Sequence, residues 1–171
     1  MDANALRALQ APLKDKYKQT PDAALVTLKA RGRLDDTKIA CKVETGRALA
    51  LAGLHPATGG TGAELCSGDM LLEALCACAG VTMKAVATAL EIPLRDAVVR
   101  AEGDLDFRGT LGVDRAAPVG FRAIRLFFDL DTDAPPEKIE TLLKLTERYC
   151  VVFQTLSQRP TLSVGVNRAG V

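Results

Sequence analysis

The residues best equipped for chemistry in this chain carry sulfur. Five cysteines, Cys41, Cys66, Cys76, Cys78 and Cys150, stand in 171 residues with a single histidine, His55. A thiol attacks or ligates only as the thiolate, so each must be asked where a negative sulfur would be stabilised. Cys66 stands at the mouth of a long helical stretch, nearest the positive end of its dipole. Cys76 and Cys78 lie about ten residues inside, beyond a dipole effect confined to the first turn. They sit about 200° apart around a helix, so they cannot bridge each other there. Cys76 shares its face with Asp69 and Glu73, which favour the protonated thiol. Cys78 shares its face with Leu71, Leu75 and Thr82. Burial among such groups raises a thiol's pKa, so a reactive Cys78 calls for a positive group brought to it. The only basic residue on the same helix is Lys84, nearly two turns away. Cys150 ends a second amphipathic helix, on its buried stripe. For any one of these, and for Cys41 on its strand face, the plain alternative is a small core hydrophobe.

The element that must hold two of these thiols runs from Ser67 to Glu91, with Gly68 and Gly80 its only glycines and no proline. Apolar residues occur on every side of it, the pattern of a helix enclosed by the rest of a protein. At 1.5 Å per residue it spans about 36 Å. Asp69, Glu73 and Lys84 interrupt it, which argues against a membrane span. Ser67 is the expected N-cap, and Asp69 suits the first turn. Around it, residues 4–18 read as an amphipathic helix within an N-terminal extension, residues 1–22. Leu25–Arg31, the segment around Ile39–Val43, and Arg47–Ala52 alternate with period two and read as an antiparallel meander, with a turn at Gly32–Asp36. The Gly53–Gly62 loop lacks the lysine and phasing of a phosphate loop and reads as a connector. Strands are expected at Asp96–Phe107 and Phe121–Asp131, helices at Glu137–Cys150 and Val151–Gln158, and a last strand at Thr161–Val166. The sum is one α+β domain over residues 1–171 with a mostly antiparallel sheet. One sheet covers only one flank of such a helix, so a second copy, helix against helix, is expected on the other.

Composition removes whole classes of function. With 22 basic and 21 acidic residues and 4% aromatics, the chain offers neither a basic patch nor a stacking platform for nucleic acid. An odd number of cysteines without a framework spacing reads as reduced thiols in a cytoplasm. One histidine and no Cys-x-x-Cys pair give no structural zinc site, and the opening residues carry no secretory signal.

The segment GGTGAELCSGDMLLEALCACAGVTM resembles the signature of the OsmC/Ohr family of osmotically inducible and organic hydroperoxide resistance proteins, over roughly Leu25 to Val166. The resemblance implies an OsmC-like fold in an intertwined homodimer, cytoplasmic, with the reactive cysteine at Cys78 and, from RYCVVFQTL, a second at Cys150. It implies reduction of organic hydroperoxides as an antioxidant response, with no metal or bound cofactor. Cys78 would become a sulfenic acid, Cys150 would condense with it, and a dithiol reductant, lipoyl groups in the characterised branch, would restore both. The family's carboxylate falls on Gly68, with Asp69 beside it as the substitute. Its thiolate-pairing arginine matches Arg33 best, with Arg31 and Arg47 as rivals. Its second cysteine usually precedes proline, whereas Val151 follows here. These departures point to the OsmC-like branch. They also keep two other readings in view: a non-catalytic small-ligand binder, and a redox sensor acting through Cys66.

Overall fold

The computed structural model describes residues 2–20, 23, 25, 31–34, 40–44 and 49–167, with the backbone alone for 9, 13, 16–18, 31–34, 40–44 and 49. In chain order the elements are α1 (Ala3–Gln19), β1 (Arg31–Leu34), β2 (Ala40–Glu44), β3 (Leu49–Gly53), β4 (Leu65–Cys66), α2 (Ser67–Ala89), β5 (Asp96–Asp104), α3 (Phe107–Thr110), β6 (Ala123–Asp131), α4 (Pro136–Tyr149) and α5 (Val151–Ser157).

Two rows of side chains carry the core. On α2 the row is Leu75, Ala79, Met83 and Ala87, spaced by four and buried. On α4 it is Leu142 and Thr146, and the next step of four is Cys150, with no exposed surface. Residues four apart stack on one side of a helix, and two such rows mesh as ridge and groove. At one end Met83, Ala87, Ile92 and Leu142 cluster with Phe128 and Leu130; at the other, Leu75, Ala79 and Cys150 cluster with Val99, Ala101, Ile124 and Leu126. The step that continues the α4 row therefore delivers Cys150 to the α2 row at the turn that carries Cys78.

The β5–β6 hairpin closes this core from the other side. Its register sets Val99 opposite Phe128 and Ala101 opposite Leu126, so the inner face is apolar. The outer face carries ion pairs, Arg100 with Asp129 and Arg125 with Asp104 and Glu102. Gly103 has a steric reason to be glycine, since a Cβ there would sit 2.3 Å from the Phe121 ring.

The expected meander exists, as β1–β2–β3 antiparallel, and β4 adds to β3 in parallel. The structure departs from the sequence reading in five places. β1 lies in the expected turn, because Gly32 and Leu34 pair with Val43 and Cys41 through backbone alone; of the segment expected as that strand, residues 26–30 lie outside the described residues. The strands form a four-stranded and a two-stranded sheet rather than one. Cys66, not Ser67, is the N-cap of α2, and it makes no side-chain cap bond. Phe107 opens α3 instead of ending a strand, because Asp106 caps that turn through the Arg108 N–H. Thr161–Val166 is not a strand: Leu162, Val164 and Val166 are 80–99% exposed. Alternation records which face a strand would bury, and nothing among the described residues of this chain pairs with it.

Helix α2 has the length and apolar composition to cross a membrane. Here its one buried row is the protein's core, and Val81 on another side is 73% exposed. Enclosure within the single chain is thus confined to a stripe.

A thiol pair as the candidate active site

Cys150 is a one-residue hinge between helices. Its backbone (φ −74°, ψ 108°) leaves helical space, its N–H still closes α4 on the Thr146 carbonyl, and it is also the N-cap of α5. Its sulfur accepts the Phe153 N–H at 3.5 Å, a thiol doing what serine does at other helix starts. The first amide groups of a helix have no intrahelical acceptor, and here they find sulfur instead.

Cys78 sits across from that helix start. Burial works to raise its pKa, but the polar groups around its sulfur, the Val152 N–H, the Cys150 thiol, the Val151 N–H and the Thr82 hydroxyl, work to lower it, and the net result is a lowered value. Each donor is worth more to a thiolate than to a thiol, which is why hydrogen bonding to the charged form outweighs desolvation. Cys150 moves the opposite way. Burial raises it, and the Phe153 N–H opposes that; its bond to Cys78 and the charge of that thiolate raise it further. Of the two sulfurs, Cys78 is thus the one biased toward the thiolate and Cys150 the one biased toward keeping its proton.

No cation takes part in this among the described residues. The positive group expected from the strands falls on Arg33, whose side chain lies outside the described residues. Three of the four neutral groups that lower Cys78 come from the junction after α4.

Beside the pair lies an apolar cavity of about 520 Å³. Leu75, Phe153, Ile124 and Leu126 belong both to its wall and to the cluster that includes Cys78, so the cavity adjoins the thiols through them. Leu71, Phe121 and Leu156 supply more of the lining, with Arg122 and Ser157 as polar members.

A sequence model for the family described as OsmC-like protein matches residues 60–165. The chain belongs to the OsmC-like family. Among solved structures, an OsmC-like protein from Mycoplasma pneumoniae superposes with a TM-score of 0.65 at 16% identity, covering 78% of this chain and 89% of that one. An organic hydroperoxide resistance protein OsmC from Legionella pneumophila gives 0.60 at 19% identity, over 78% and 90%. One from Elizabethkingia anophelis, an organic hydroperoxide resistance protein with thiocyanate bound, gives 0.63 at 13%, over 80% and 91%. At these identities the likeness is one of fold. No curated protein matches the sequence.

Of the four site residues named from sequence, the OsmC-like fold of this chain brings two together, Cys78 and Cys150. Asp69 stands exposed in the first turn of α2, nine residues and so about 13 Å along the axis from Cys78. Arg33 stands in β1 opposite Lys42, and its side chain lies outside the described residues, as do that of Arg31 and all of Arg47. Cys66 lines a separate groove with His55, whose ring stacks on Phe107 at 4.8 Å. The side chain of Cys41 is also outside the described residues.

The sequence reading missed the donors. Thr82 appeared there only as a neighbour on the Cys78 face, and the Val151 and Val152 amides did not appear at all. The signal was available: a cysteine between two amphipathic segments is placed to cap the second, with free N–H groups just after it.

Proposed function

We propose that this protein is a cytoplasmic thiol peroxidase that reduces organic hydroperoxides, acting as a homodimer, with Cys78 as the attacking and Cys150 as the resolving thiol. The observation that supports this is the pair of thiols packed in one cluster, Cys78 lowered and Cys150 raised, beside an apolar cavity. The Cys78 thiolate attacks the terminal peroxide oxygen: an S–O bond forms, the O–O bond breaks, and the alkoxide leaves and takes a proton as the alcohol. The Cys150 sulfur then attacks the Cys78 sulfenic acid; the S–S bond forms and the departing hydroxide takes the Cys150 proton as water. A dithiol reductant, such as a lipoyl group, returns both thiols. A raised Cys150 suits the second role, since it leaves the first attack to its partner.

The cavity supports an alkyl substrate over hydrogen peroxide. Only the former buries a tail, at about 0.8 kcal/mol per methylene. The test is consumption of cumene hydroperoxide and hydrogen peroxide under a dithiol reductant, by the parent and by Cys78→Ser. Faster turnover of cumene hydroperoxide, abolished by Cys78→Ser, is expected. Equal rates for the two peroxides, or full activity in Cys78→Ser, would overturn the assignment.

A further inference from the structure

On β6 every other residue, Ile124, Leu126, Phe128 and Leu130, packs against the core. Alternation carried one step back from Ile124 reaches Arg122, just before the strand. A charge therefore stands where the pattern calls for an apolar side chain. The hairpin fixes its place, because the Arg122 backbone N–H bonds the Asp104 carbonyl at 2.8 Å. Arg122 lines the cavity of about 520 Å³ together with Ile124 and Leu126, and its exposure puts it on the open side.

The neighbouring charges leave Arg122 unpaired. Arg100 is taken by Asp129, Arg108 by Asp106 and Asp114, and Arg125 by Asp104 and Glu102. Asp104 and Asp106 feel the charge of Arg122 but give their oxygens to Arg125 and Arg108. Among the described residues Arg122 has no ion pair, and its side chain makes no hydrogen bond. It is also the one charged residue of the cavity lining among those described. Ser157, the other polar member, already gives its hydroxyl to the Phe153 and Gln154 carbonyls, so it has no proton left for a ligand. Helix α5 ends there, but the same bonds and that from the Gln158 N–H occupy its last carbonyls, which leaves the full charge of Arg122 to decide.

An apolar chamber with one unpaired guanidinium on its open side suits a molecule with an alkyl tail and an anionic head. A guanidinium presents its donors in a planar fork that matches a carboxylate. We propose that Arg122 is a specificity-determining residue, pairing with the carboxylate of a long-chain acid whose tail fills the cavity. The inference rests on the cavity being the substrate site, and adds the residue that selects, among alkyl hydroperoxides, those that carry an acid group. With the head at Arg122 the tail runs inward along Ile124 and Leu126, which the cavity shares with the thiol cluster. The reacting peroxide is then carried along the tail, away from the head.

The experiment is isothermal titration of the reduced full-length protein with octanoate and 1-octanol, which share a tail length and differ in the head. The parent is compared with Arg122→Gln and Arg122→Lys; the exposed position keeps either change from disturbing the core. The ratio of octanoate to 1-octanol affinity should fall about tenfold in Arg122→Gln, the low end for a hydrogen bond between charged groups. All of that fall should come from octanoate. Arg122→Lys keeps the charge and should fall less, and added salt should weaken octanoate alone. A merely structural role would weaken both ligands together. An unchanged ratio in Arg122→Gln, parallel loss of both ligands, or binding of neither by the parent, as when a second copy covers the cavity, would overturn the proposal. No peroxide enters this assay. A protein that shows the Arg122-dependent preference yet consumes no hydroperoxide would sink the peroxidase reading alone, and turnover of cumene hydroperoxide without the preference would sink this proposal alone.

Discussion

Replacing Val151 by proline removes one hydrogen-bond donor from Cys78 and little else. Val151 is the first residue of α5 and 69% exposed, so its side chain contributes little packing. Proline is favoured at that position because its fixed φ suits the helix start and its missing N–H had no intrahelical partner. The preceding Cys150 already has the extended backbone that a residue before proline adopts. What is lost is the Val151 N–H, one of the groups that lower the Cys78 thiol. A hydrogen bond to a charged group is worth about 1.5–3 kcal/mol, and one pKa unit about 1.36 kcal/mol. The Val152 N–H, the Cys150 thiol and the Thr82 hydroxyl remain and Cys78 is half-buried, so the lower end applies: a rise of about one unit. The sign follows from the depressed value. Thiolate is present above the folded-state midpoint and lost as pH falls through it, so the variant loses reactivity at a higher pH than the parent. The share of folding stability linked to Cys78 is present above the ordinary thiol value and lost as pH falls through the depressed one; in the variant it shrinks. Rigidifying the unfolded chain offsets this by about 0.4–1 kcal/mol, so the melting temperature should hold or rise. Alkylation rate against pH at Cys78 measures the shift. An unchanged midpoint with α5 intact would show that the amides of the α4–α5 junction do not stabilise this thiolate.

Three further outcomes follow from the same geometry. Cys150→Ser keeps a good N-cap for α5 while removing the second sulfur; it should complete one turnover and then accumulate sulfenic or sulfinic acid at Cys78, seen as a mass gain of one or two oxygens, whereas sustained turnover would exclude Cys150 as resolver. Phe153→Ala removes part of the apolar wall that the cavity shares with the thiol cluster; it should narrow the rate ratio of cumene hydroperoxide to hydrogen peroxide, and an unchanged ratio would separate this cavity from substrate choice. Sedimentation at micromolar concentration should find a dimer with an interface burying more than about 2,000 Å², as the exposed Val81 side of α2 suggests; a folded monomer would refute it.

How much of this could be read from the sequence varies with what each reading depended on. The helix Ser67–Ala89 was legible because its length, composition and lack of proline are local properties. So were α4 and α5, whose apolar spacing and bounding prolines survive any tertiary context. The hairpin strands were legible for the same reason, each alternating against a buried face. The failures share a different cause. A strand needs a partner, and alternation at Thr161–Val166 names only the face that a partner would meet. The position of β1 depended on pairing with β2, which does not show in its own residues RGRL.

The site divides along the same line. That Cys78 and Cys150 form a pair came from a resemblance to a family, and here the fold supplies the physical reason: a row of four-residue steps on α4 ends at the turn of α2 that carries Cys78. What no local pattern could give is how a thiol in mid-helix becomes reactive. Judged from its own helix, Cys78 has desolvation against it and no dipole within reach. Three of the neutral groups that lower it come from the α4–α5 junction. A short helix that begins at Cys150 leaves its first N–H groups without acceptors, and the nearest acceptors are the two sulfurs. The amides at the start of α5 thus serve both sulfurs: Phe153 caps through Cys150, and Val151 and Val152 work to lower Cys78. Oxidising the pair to a disulfide would take from those amides both a charged acceptor and a thiol, since a disulfide sulfur accepts weakly. Thiolate stability and order at the start of α5 are then one interaction seen from its two ends, which is why substitutions at Val151, an exposed residue that contacts no substrate, should be read out at Cys78.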